Sequence, residues 1–231
     1  MKLLATLLIL AAVPLRAEVV AARYEDPTGR YDHAILGDAL EWGALVVETA
    51  DGRRFRLTLP ESSVFEDIAP RVIEVPGETP VVAVIETDLR LGARLALYRE
   101  TGLVAATPYI GRTHRWLAPI GAADLDGDGA LEFAFVDRPH LARTIRIWRY
   151  ADGALSHRAD LAGYTNHRIG EDTIAGGIRD CGSGPEMIVA DADWTEIVAV
   201  GWNGSQFGVT ALGPHRDRAS FAAALSCKPV R

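Results

Sequence analysis

The chain reads as an all-β protein, and two recurrences along its 231 residues predict this. The first is a series of turn dipeptides, Asp51-Gly52, Thr101-Gly102, Asp152-Gly153 and Asn203-Gly204, whose glycines fall 50, 51 and 51 residues apart. Asp-Gly and Asn-Gly supply the positive φ angles that tight hairpins need, and Thr101 is the weakest member of the set. The second is a set of apolar runs at matched places in every interval, consistent with four strands in each. Four-stranded units at a period of about 50 residues are the pattern of propeller blades. The expected fold is a small β-propeller with four blades of four antiparallel strands, near 19–61, 64–111, 113–163 and 165–213, with a tail at 214–231.

Taken in order, the chain opens with Lys2, an apolar run over 3–13, Pro14 and a small residue at Ala17. This is the layout of a secretory signal peptide over 1–17, cleaved after Ala17. Its apolar core is too short for a membrane span of about 20 residues. Removing it takes away Lys2 and Arg16, so 22 basic residues face 31 acidic ones, a net charge of −9 against −7 for the whole chain. That balance repels nucleic acid and anionic lipid, and no basic stripe with interleaved aromatics offsets it. The expected setting is periplasmic or secreted, with no nucleic-acid partner and no membrane span.

Strands are expected directly before the turns, at 44–47, 94–98, 144–148 and 196–200, and upstream of those at 34–36, 81–85, 133–136 and 187–190. Further runs follow the turns, as at 55–59 and 207–210. The upstream runs are near-continuously apolar, as strands covered on both faces must be. Aligning Asp32, Val81, Glu132 and Glu186 gives steps of 49, 51 and 54. The loop ahead of the upstream strand absorbs the growth.

In the third interval that loop is Asp124-Leu125-Asp126-Gly127-Asp128-Gly129-Ala130-Leu131-Glu132. Carboxylates at alternate positions, with glycines where the backbone turns, converge oxygens on a hard cation. An EF-hand is excluded, because its twelfth position would be Phe135 and the flanks are strand-like. Asp124, Asp126, Asp128, the Ala130 carbonyl and Glu132 instead form a nine-residue cage; the alternative is a solvated acidic turn without metal. The loop resembles the FG-GAP or VCBS-type repeat of β-propellers, D-x-D-G-D-G-x-x-D, with Glu132 where that family usually has Asp. The resemblance implies one bound calcium ion. It is strong over 124–152, weaker over 165–205, and elsewhere rests on period alone. In the fourth interval the loop has decayed to Asp180-Cys181-Gly182-Ser183-Gly184-Pro185-Glu186.

Thr113-His114-Arg115 recurs as Thr165-Asn166-His167-Arg168, with the histidines 53 residues apart. At the start of two blades, His114, Arg115, His167 and Arg168 form a candidate channel site for an anion; shared packing ancestry is the alternative. Cys181 and Cys227, in an oxidising compartment, are expected to pair, with two buried thiols as the alternative. No nucleophile is framed: Ser183 lacks a strand-turn-helix setting, and the six histidines show no zinc spacing. Asp191 and Asp193 read as solvated, Trp194 and Trp202 as core. The expected function is a secreted, calcium-stabilised, monomeric binding or scaffolding module for a protein or carbohydrate partner. The alternative is a periplasmic hydrolase or lyase working around His114 and His167.

Overall fold

A computed structural model describes residues 18–231; the expected signal peptide lies outside the described residues. The first interval contributes β1 (Val19–Thr28), β2 (Glu41–Thr49) and β3 (Arg54–Thr58). The second contributes β4 (Ser63–Phe65), β5 (Arg71–Ile73), β6 (Val81–Asp88), β7 (Gly92–Arg99) and β8 (Gly102–Ala106). The third is β9 (Leu117–Ala123), β10 (Leu131–Asp137), β11 (Thr144–Ala151) and β12 (Ala154–Ala162). The fourth is β13 (Tyr164–Thr165), β14 (Gly177–Asp180), β15 (Pro185–Asp191), β16 (Glu196–Trp202) and β17 (Phe207–Pro214), followed by α1 (Arg218–Leu225). The protein is all-β apart from this helix, and its sheets are antiparallel.

Each expected turn joins a hairpin: β2–β3, β7–β8, β11–β12 and β16–β17. Asp152 and Gly153 both take positive φ, 52° and 73°, the conformation that makes a two-residue turn match strand twist. Of the upstream runs, three are strands. The run at 34–36 is not: Ala34 has φ 50°, and the Gly37 amide closes back on the Ala34 carbonyl at 3.3 Å. The strand that pairs with β2 is β1 instead. Three apolar residues are too few to tell a strand from a buried turn by periodicity, and Ile35 is buried either way.

The third interval is a self-contained four-stranded sheet, in the order β12-β11-β10-β9, and the fourth forms a five-stranded one. The first two intervals share a single eight-stranded sheet, because β4 pairs with β2 through Trp42 and Phe65 and also with β6. The sheets are not closed upon themselves.

Strands β6, β10 and β15 divide their alternate residues between two cores. Val82 and Val84 pack toward Leu45, Val47 and Phe65, while Val81, Ala83 and Ile85 pack toward Trp116, Phe133 and Phe135. Ala134 and Val136 face Met187 and Val189, while Ile188 and Ala190 face Phe221 and Ala224 of α1. Neighbouring units therefore stack face to face, which is why these strands are apolar at successive positions. A closed four-blade ring would pack the fourth sheet's outer face on the first sheet. Here that face is covered by α1.

The tail beyond Pro214 becomes helical through its Ala-rich run and its cap. Asp217 accepts from the Ser220 amide at 3.1 Å in a capping box. Arg179 donates to the Ala224 carbonyl at 2.7 Å, and Cys181 is bonded to Cys227 across 46 residues. The expected disulfide is thus present. In the chain-entropy account a loop of this size is worth about 4 kcal/mol. Replacing both cysteines by serine is expected to cost most of that, with amide exchange in α1 accelerating before exchange in β10; unchanged α1 protection would contradict a pinning role.

Candidate functional site

The loops that start each interval bring titratable side chains to one place. His33, from the first interval, has Nδ1 2.5 Å from Oε1 of Glu66 in the second. Glu66 is buried, and its other oxygen accepts from Thr87 Oγ1 at 2.6 Å. The Glu66 carbonyl accepts from the indole N–H of Trp116 in the third interval at 2.8 Å. Trp116 in turn packs edge-on against His167 of the fourth, with ring centroids 4.9 Å apart. His167 Nδ1 lies 3.1 Å from His140 Nε2, and its Nε2 lies 2.9 Å from the Glu171 carbonyl. His114 sits with φ 51°, its amide donating to Tyr31 Oη at 2.8 Å, its Nε2 2.9 Å from Asp32, and its ring 5.2 Å from that of His33. Close approach between the first and fourth intervals completes the cluster: Gly170 donates to the Ile35 carbonyl, and a Cβ on Gly37 would lie 2.6 Å from the Gly170 oxygen.

A cavity of about 220 Å³ opens here, lined by His33, His114, Arg115, Arg138 and His140 over a floor that includes Trp116. Leu141 and Ile169 stand on its rim, 63% and 71% exposed. Burial dominates the electrostatics. It pushes the Glu66 carboxyl up, against the pull of His33, and it raises Glu41 to about 9 with Glu66 adding to the effect. Burial also depresses His140 to about 4, helped by His167, and holds His167 below its ordinary value. The uncharged forms are favoured throughout.

Of the expected channel residues, His114, Arg115 and His167 meet at this cluster. Arg168 does not: its guanidinium lies 4.3 Å over the Trp194 ring, in a separate cleft beside α1. The two histidines also differ, His167 being buried and His114 half exposed. His33, Glu66 and His140 were missed by sequence reasoning. The alignment of Asp32 with Val81, Glu132 and Glu186 sets His33 against Val82, Phe133 and Met187, so it carried no signal for this histidine.

In the acidic loop, Asp124, Asp126 and Asp128 offer carboxylate oxygens within 4.8 Å of one another. Asp124 accepts from the Gly127 and Gly129 amides at 2.8 and 2.9 Å, which folds the loop around it. Glu132 stands outside this group, one oxygen accepting from the Leu125 amide at 2.9 Å and the other from Arg149 Nε at 2.7 Å. Arg149 also reaches Asp126 at 2.7 Å and Asp128 at 2.6 Å. It does so because β10 and β11 pair Glu132 directly opposite Arg149. The sequence contained this clue in the spacing of the two strands. Four carboxylates against one guanidinium leave three net negative charges.

The remaining sequence candidates are accounted for locally. Ser183 is exposed in the turn that Asp180 closes by accepting from the Gly182 and Gly184 amides. Asp191 closes the next turn through Thr195 and Glu196, Asp193 is exposed, and Trp202 is core. No helix among the described residues is long and apolar enough to cross a membrane. No family model, curated protein or solved structure matches the chain.

The shifted groups set opposite pH slopes. Between about 4.5 and about 9 the folded state keeps on Glu41 a proton that the unfolded state has released, so stability falls as pH rises. Between about 4 and 6.5 the unfolded state protonates His140 while the folded state does not, so stability rises with pH there. The melting temperature is therefore expected to fall on the alkaline side of neutrality, and Glu41→Gln should flatten that fall. Parallel curves for the two proteins would remove Glu41 as its source.

Proposed function

We propose that the chain is an exported binding module of FG-GAP/VCBS type, periplasmic or secreted, whose four blade-like repeats surround the histidine cluster as an open ring. The observation that carries this reading is that His33, Glu66, His114 and His167, one from each repeat, converge beneath an exposed apolar rim. A monomer with Leu141 and Ile169 exposed beside imidazoles and guanidiniums suits a protein partner that presents an apolar side chain next to an acidic one. Capture experiments with the mature protein test it. Leu141→Asp with Ile169→Asp should abolish retention of a specific partner from the native envelope while thermal stability is kept; equal capture by both proteins would place the binding surface elsewhere.

The module is also read as calcium-responsive. Three convergent aspartates and a residual negative charge fit a divalent cation, with Asp124, Asp126 and Asp128 as the ligands nearest to hand. Arg149 holds Glu132 as well as Asp126 and Asp128, so Glu132 joins only if Arg149 yields, and the Ala130 carbonyl is the remaining oxygen of the expected set. At an affinity of roughly 0.1 to 1 mM, millimolar calcium adds about 0.4 to 1.4 kcal/mol, enough to order the loop and too little to drive folding. Asp126→Asn with Asp128→Asn should abolish calcium heats in titration calorimetry. Arg149→Gln should lower calcium-free stability and strengthen calcium binding, because it removes a competing positive charge. No heat with wild-type protein up to about 10 mM calcium would leave the loop a turn neutralised by Arg149 alone.

A second reading, acid–base catalysis, is favoured by one contact. Glu66 holds His33 through Nδ1, and His33 Nε2 has no hydrogen-bond partner among the described residues, the arrangement of an oriented general base. It extends the hydrolase or lyase alternative from His114 and His167 to His33. Turnover of ester or glycoside reporter substrates that His33→Gln abolishes would favour it over the binding module.

A further inference from the structure

Strand β17 is the outer edge of the fourth sheet, which runs β13-β15-β16-β17. Its register shows which backbone groups are left over. The Asn203 amide donates to the Gln206 carbonyl at the turn, and the His215 amide donates to the Thr195 carbonyl at the far end. Hydrogen-bonded pairs alternate along an antiparallel ladder, so Gly208 and Thr210 bond to Gly201 and Ala199. The amides and carbonyls of Phe207, Val209 and Ala211 then point away from β16. None of these outward groups has a backbone partner among the described residues. The strip is also open: the residues from Gly208 to Ala211 are exposed, and a Cβ on Gly208 would have no atom beyond its chain neighbours within 4 Å. The tail comes near at Gly213, where the Val230 carbonyl stands.

Free edges invite pairing with other chains, and proteins blunt them with charge, proline or shortness. The other edges here are blunted. β1 carries Glu25 and Asp26, β12 carries Arg158 and Asp160, β9 contains Pro119, and β3 and β8 have five residues each. β17 has eight residues, no charged side chain, and its proline at the last position. Val209 lies opposite Val200, on the face toward the third sheet, and is 44% exposed. We propose that β17 is a docking edge for an extended segment of a partner polypeptide, which adds as a further strand, sets an apolar side chain against Val209 and carries a basic residue beside the acidic loop. In such additions backbone pairing supplies affinity and alternate side chains supply selectivity. The charge preference follows from position. The turn that starts β17 abuts the acidic loop, a Cβ on Gly204 lying 2.9 Å from Asp126 Oδ2, and that loop keeps three net negative charges. A second copy of the chain fits less well: it would bring another net charge of −7. The edge itself is a strip about 27 Å long and about 5 Å deep, small against the roughly 800 Å² per partner of a stable interface between folded proteins. The histidine cluster contributes nothing to this edge, so the two surfaces are independent.

The probe is a short peptide of alternating threonine and valine with a lysine at each end, added to the full mature chain without calcium. Amide exchange read by nuclear magnetic resonance is the direct test. At saturation the Val209 and Ala211 amides should exchange at least about tenfold more slowly, while those of Gly208 and Thr210, already bonded to β16, change little. Two control peptides separate the sources of binding. Prolines at the central positions should weaken it at least about tenfold, and glutamates in place of the lysines several-fold, the second difference shrinking in high salt. Val209→Pro and Ala211→Pro each remove one outward donor and no bond to β16, and each should weaken binding at least about fivefold with the fold kept. Should one of them not fold, the other and the exchange measurement on the unmodified chain still decide. The proposal is overturned by no saturable binding up to about 1 mM peptide, by unchanged exchange at Val209 and Ala211, by equal binding of either control peptide, or by undiminished binding in the folded variants. A dimer in sedimentation that Val209→Pro dissociates would give the edge to a second copy and overturn it as well.

Discussion

Glu66 is the constraint on which the arrangement of the repeats depends. Its amide donates to Ile85, its carbonyl accepts from Trp116, and its carboxyl takes His33 and Thr87. One residue thus ties the second interval to the first and the third while fully removed from water. A carboxyl in that position is tolerated because each oxygen has a partner, and it is costly because burial works against its charge. Truncating it would orphan the Thr87 hydroxyl and the His33 ring together. Stability and site geometry at the centre are consequently one property.

The third and fourth intervals close the same loop with different chemistry. In both, an aspartate at the first position accepts from two glycine amides, at Gly127 and Gly129 or at Gly182 and Gly184. In both, an arginine on the neighbouring strand reaches the closing glutamate: Arg149 to Glu132, and Arg179 to Glu186. Beyond that shared frame they diverge. The third loop concentrates carboxylates, and Arg149 holds three of them. The fourth carries Cys181, and a covalent bond to the tail takes the place of charge as its tether. The helix so anchored covers the last sheet's outer face, which otherwise would expose Ile188, Ala190 and Ile197 to water.

Arg138 joins the two cavities of the third interval. It lines both, while its guanidinium is held by Asp137 at the end of β10. Its positive φ of 45° places it at a bend where the chain leaves the sheet, with its amide fixed by the Trp116 carbonyl. Two cavities of different character, one beside the imidazole cluster and its apolar rim and one against β11, therefore meet at one sheet edge.

What the sequence determined by itself is what short-range physics controls. Glycine at the turn set the hairpins, since Gly52, Gly102, Gly153 and Gly204 all take positive φ. Continuous apolar runs set β6, β10 and β15, and alternating carboxylates set the acidic loop, because those carboxylates are near neighbours in the chain. With two cysteines in the chain, Cys181–Cys227 is the one intramolecular disulfide that can form. What only the tertiary structure decided depends on pairing between distant segments. The fusion of the first two units through the three residues of β4, the turn at 34–36 and the cover supplied by α1 have no periodic signature. The same holds for the partners of Glu66, which come from 33, 21 and 50 residues away, and for Arg149, 17 residues from Glu132. A side chain's partner across such separations follows from strand register and sheet stacking, and these are fixed by the packing of whole faces, which no local pattern specifies.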